Sequence, residues 1–187
     1  ATPGAWAITA GADEQTVSNV EIVTDADGRT LLVGNGGFAT IQDALAVAQA
    51  GDTILVAEGT YAGGFNITVE GLTIKAVGDV VIEGTFRQVN GLDPEDSVAG
   101  WLQTVNAYNG GGTHVIAVQA DNVTLDGITI TSANTGIELN TSIENLTLTN
   151  VDISGGSTGI RKATAATIDG LTITGGSFTD LEKGLAF

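Results

Sequence analysis

Residues 122–137, NVTLDGITITSANTGI, are answered 23 positions later by residues 145–160, NLTLTNVDISGGSTGI. Under this offset Val123, Leu125, Ile128 and Ile130 fall on Leu146, Leu148, Val151 and Ile153, and Thr135-Gly136-Ile137 falls on Thr158-Gly159-Ile160. A third copy, LTITGGSFTDLEKGL, follows at an offset of 25 and places Leu171, Ile173, Phe178, Gly184 and Leu185 on Leu146, Leu148, Ile153, Gly159 and Ile160. Each copy alternates apolar residues with Thr, Asp or Ser, the period-two pattern of a strand with one buried face. Gly, Asn and Asp break each copy where turns require them. No helical stripe runs through any of them. A repeat of about two dozen residues made of short strands and turns predicts a β-solenoid, with roughly three strands per coil and equivalent residues stacked at the ~4.8 Å strand spacing.

Stacking makes specific pairs. Asn122 and Asn145 are expected one above the other as a short amide ladder. Glu138 is expected on Arg161 as an inter-coil ion pair worth about 0–1 kcal/mol if exposed. His114 aligns with Thr135 and Thr158, while Asp126 aligns with Thr149 and Asp152 with Thr129.

Upstream, TILVAEGTY, FNITVEGLTIKAVGDVVIEGTF and HVIAVQADNVTL carry the same texture more loosely. One helix is expected, over ATIQDALAVAQAG, with Thr40 as N-cap, Asp43 in the first turn and Gly51 as the C-terminal stop. It is placed to cover the first coil, whose open end would expose backbone edge and core together. The chain thus divides into lead-in strands at 1–36, with turns at Asp27-Gly28 and Gly36-Gly37, and a solenoid at 37–187. Residues 85–113 interrupt the repeat as a loop insertion bearing Pro94, Trp101, Tyr108 and a carboxylate cluster. Such insertions gather on one face, often the binding face.

Composition narrows the partners. The 187 residues contain 27 Gly, no Cys and no Met, with 22 acidic against six basic residues and a net charge of −16. Such a chain repels phosphate backbones and anionic membranes, which argues against nucleic-acid binding. It attracts cations, Ca2+ first, through carboxylate and carbonyl oxygens. Without Cys, neither disulfides nor thiolate metal sites are available. The N-terminal ATPGAWAITAG has no basic region and no long apolar run, so neither a signal peptide nor a membrane-inserted segment is read there. The lack of an initiator Met is read as the mark of a mature product or an excised piece of something longer.

The stretch GGFATIQDALAVAQAGDTILVAEGTYAGGFNITVEGLTIKAVGDVVIEG resembles the opening of pectin-lyase-like right-handed parallel β-helices: an aromatic before ATIQ, then an A-GDTI turn and a G-TY step. The preceding VSNVEIVTDADGRTLLVGNGG resembles the lead-in of large secreted bacterial proteins of the calcium-binding repeats-in-toxin type, among them adhesins and alginate epimerases. The resemblance implies an all-β, right-handed parallel β-helix (β-solenoid) with a short N-terminal capping α-helix, in an extracellular or bacterial cell-surface setting. For activity it implies little, because that superfamily holds lyases, hydrolases, epimerases and non-enzymatic modules.

Lyase or C5-epimerase chemistry on an acidic polysaccharide needs a base and a positive group or cation facing the uronate carboxylate. Candidates are the adjacent Arg161 and Lys162, and the single His114. GLDPED at 91–96 resembles the Asp-Pro-His-Glu segment of alginate epimerases but lacks the His. For the hydrolases, no stacked Asp cluster emerges, since Asp126 and Asp152 fall opposite Thr. Calcium candidates are Asp25 and Asp27 of DADG, half of a calcium-loop pattern, and Asp93, Glu95 and Asp96. Trp101 and Tyr108 are candidate sugar-stacking platforms. Two functions follow. The first is a non-catalytic structural or adhesive module, calcium-dependent and docking head-to-tail with copies of itself through the last coil at LEKGLAF. The alternative is a lyase or C5-epimerase-like module acting on an acidic polysaccharide.

Overall fold

The computed structural model describes residues 6–10, 13–17, 19–26, 28–84, 114–132 and 134–187. Two antiparallel hairpins open the chain: β1 (Trp6–Ala10) with β2 (Asp13–Val17), and β3 (Ile22–Asp25) with β4 (Gly28–Val33). Helix α1 (Ile41–Val47) follows. The coils then run through β5 (Thr53–Ala62), β6 (Phe65–Ile67), β7 (Thr73–Glu83), β8 (His114–Val118), β9 (Thr124–Thr131) and β10 (Thr135–Leu139). They finish through β11 (Ile143–Thr149), β12 (Asp152–Ser154), β13 (Thr158–Lys162), β14 (Ile168–Thr174), β15 (Ser177–Thr179) and β16 (Lys183–Ala186).

These strands wind into an all-β parallel β-helix of about 6 turns. One sheet has the order β14-β11-β9-β7-β5-β4-β3, and a second runs β16-β13-β10-β8-β6. Strand β12 lies between β9 and β15. From β4 onward every pairing is parallel. The register follows the repeat: Leu125 lies beside Leu148 and Leu148 beside Ile173, while Ile137 lies beside Ile160 and Ile160 beside Leu185.

Alternation explains the core. In the first sheet Leu31, Ile54, Ile74, Leu125, Leu148 and Ile173 form one column, one residue per coil, and the second sheet answers with Phe65, Ile116, Ile137, Ile160 and Leu185. Most of these side chains are fully buried in a single continuous cluster, each contributing about 1.5–3 kcal/mol of apolar transfer. One residue before the first column runs a row of Thr30, Thr53, Thr73, Thr124, Thr147 and Thr172. None of the six is buried. β-branched residues suit that half-covered, pleated position, and stacked Thr pairs support one another.

Turns repeat as faithfully as strands. Gly51, Gly71, Asn122, Asn145 and Gly170 occupy the same corner of successive coils, and all have positive φ, between 55° and 82°. Only Gly, or Asn at small cost, holds that conformation routinely. The first three amides of the row reach the next coil: Gly51 N donates to Glu70 O, Gly71 N to Asp121 O and Asn122 N to Glu144 O, at 2.8–3.1 Å. The expected amide ladder is present, with Asn145 Nδ2 donating to Asn122 Oδ1 at 3.0 Å and Asn122 Nδ2 to Glu70 Oε1 at 3.3 Å.

The helix forms where expected but ends early. Thr40 caps it, its hydroxyl accepting from Asp43 N at 3.1 Å and donating to Asp43 Oδ2 at 2.7 Å. Ile41 and Ala44 are buried against the first coil, and Gln42 Nε2 donates to Ala62 O at 3.0 Å. Gly51 is not its stop: helical structure ends at Val47, with Ala48 as an extended C-cap. One contact is tertiary and one local. Arg29 donates to Val47 O at 2.9 Å from the lead-in hairpin, and the buried Asp52 carboxylate accepts from Gln49 N three residues back at 2.7 Å, so the helix end is satisfied before Gly51 is reached. Arg29 and Asp52 also pair at 3.3 Å, joining the lead-in hairpin to the start of β5.

Candidate functional site

Three ionisable side chains from three successive strands of the second sheet meet at one point. Glu138 on β10 holds His114 of β8 and Arg161 of β13: His114 Nδ1 lies 3.0 Å from Glu138 Oε2, and Arg161 donates to Glu138 Oε1 at 2.8 Å. Side-chain exposure is 12% for His114, 13% for Glu138 and 43% for Arg161. The coil repeat is what brings them together, since Glu138 sits directly beside Arg161 in the ladder and His114 sits beside Thr135. A carboxylate on one imidazole nitrogen orients the ring and selects its tautomer, which is how a histidine base is held in many sites. The same carboxylate neutralises the guanidinium, so the group also reads as an inter-coil clamp.

Of the candidate bases, His114 and Arg161 thus converge on Glu138, a hub that the 23-residue offset had linked only to Arg161. Lys162 is employed elsewhere: its ammonium donates to Ala163 O at 3.1 Å and Ala166 O at 2.9 Å, tying down the turn after β13. Tyr61 is unsuited to proton abstraction. Its hydroxyl donates to Ala57 O at 2.9 Å, and burial pushes its pKa above the ordinary tyrosine value, which keeps the phenol protonated.

Asp25, one of the calcium candidates, serves the β3–β4 turn, where its Oδ1 accepts from Gly28 N at 3.2 Å. Among the described residues no three of His, Asp and Glu are grouped so as to hold one metal ion. Asp27, Asp93, Glu95, Asp96, Trp101 and Tyr108 lie outside the described residues. Asp126 and Asp152 stand opposite Thr149 and Thr129 as expected, and bond Lys75 at 3.0 Å and Ser177 at 2.6 Å.

A second polar feature is signalled by the repeat and by no motif. One residue before the left-handed corner, Glu70, Asp121, Glu144 and Asp169 stack coil on coil. Extending the offsets of 23 and 25 from Asp121 reaches Glu144 and then Asp169. Beside the last three lies a groove of about 240 Å³, lined also by Ser142, Ile143 and Thr167. Its walls are partly self-bonded, since Asp121 Oδ1 accepts from Glu144 N at 2.8 Å and Ser142 Oγ from Thr167 N at 3.1 Å.

No protein-family model matches this chain, and no curated protein or solved structure matches it either.

Proposed function

We propose that this chain is a non-catalytic structural or adhesive β-helix module of an extracellular bacterial surface or matrix protein. The observation that carries this reading is how four of its six cations are used. Arg29 pairs with Asp52, Lys75 with Asp126 and Arg161 with Glu138, and Lys162 bonds two turn carbonyls, so these four hold one piece of the scaffold to another, while Lys183 is exposed and Arg87 lies outside the described residues. A lyase or epimerase must instead aim positive charge at a substrate carboxylate. Calcium and self-association belong to the proposal through charge: with 22 acidic residues against six basic, copies repel one another until cations screen them.

Sedimentation of the purified chain, in calcium and then in chelator, tests the assembly part. Calcium-dependent oligomers are expected; a monomer at high concentration in both conditions removes self-assembly and leaves a spacer or sugar-binding role.

A second reading is favoured by the meeting of His114 and Arg161 on either side of the Glu138 carboxylate, an imidazole and a guanidinium on neighbouring coils. On this reading the module is a lyase or C5-epimerase acting on an acidic polysaccharide. Unsaturated uronate ends or inverted uronate stereochemistry, abolished by His114→Ala, would displace the structural reading. Unchanged polyuronate after long incubation, with and without calcium, supports it.

A further inference from the structure

We draw no further inference here: the strongest candidate, the carboxylate row Glu70, Asp121, Glu144 and Asp169 along one corner of the coils beside the groove at Ser142 and Thr167, is an acidic cluster with no bound ion and no unpartnered buried group aimed into it to indicate a ligand.

Discussion

Gly159 and Gly51 illustrate two different demands for glycine. A methyl group on Gly159 would stand 2.6 Å from Gly184 O and 2.7 Å from Phe178 Cδ1, so the next coil leaves no room for it. At Gly51 nothing lies within 4 Å, but φ is +82°. Gly159→Ala is therefore expected to cost about 1–3 kcal/mol through overpacking against backbone. Gly51→Ala is expected to cost about 1–2 kcal/mol, from the left-handed conformation alone. Urea denaturation of both variants checks the order; equal losses would mean that the coils move apart readily. Tyr61 carries a pH prediction. Its pKa is raised on folding by burial, so its contribution to stability is complete below the unfolded tyrosine pKa of about 10 and is lost as pH rises through the folded value. Tyr61→Phe is expected to flatten that part of the alkaline decline relative to the parent. Parallel curves for the two proteins above pH 10 would show that burial at Tyr61 is not linked to folding.

At the scale of elements, the helix and the lead-in hairpin depend on one buried carboxylate. Asp52 has 5% side-chain exposure, pairs with Arg29 and accepts from Gln49 N. Removing it leaves the largely covered guanidinium without its counter-charge, and Asp52→Ala is expected to lose on the order of 3 kcal/mol, the lower end for a broken buried pair. Thermal melts measure the loss. A fall in melting temperature of less than a degree or two would show that Arg29 finds water instead. Helix α1 was legible from Thr40, Asp43 and its apolar spacing, because capping is local chemistry. Its end was not, because Val47 O is met by Arg29 of β4, 18 residues away in sequence, and helical structure stops there.

Across the whole molecule the solenoid behaves as a stack in which each coil is buried by its neighbours. Ile74, Leu125 and Ile137 in the middle coils are almost fully covered, whereas Leu185 in the last coil is 48% exposed and Phe187 beyond it 63%. Hydrogen exchange is expected to show strongest protection in β7, β9 and β11, falling through β14 to β16. Uniform protection along the coils would mean that the stack opens only as one unit. Six rungs of one apolar column run from β4 to β14, and the loop insertion expected at 85–113, between β7 and β8, lies outside the described residues.

The sequence by itself determined the coil pitch from residue 122 onward, the apolar columns there, the turn positions at Gly and Asn, and the Asn122–Asn145 and Glu138–Arg161 pairs. Each depends only on residue type and on a repeat offset of 23 or 25. Period-two burial and αL corners are local rules, and stacking turns a sequence offset directly into a neighbour in space. Only the tertiary structure decided that His114 reaches Glu138, that Lys162 turns to its own backbone, and that Arg29 closes the helix. Those contacts depend on how far a long side chain swings from its position in the ladder and on which neighbour it meets there, and no repeat offset encodes that.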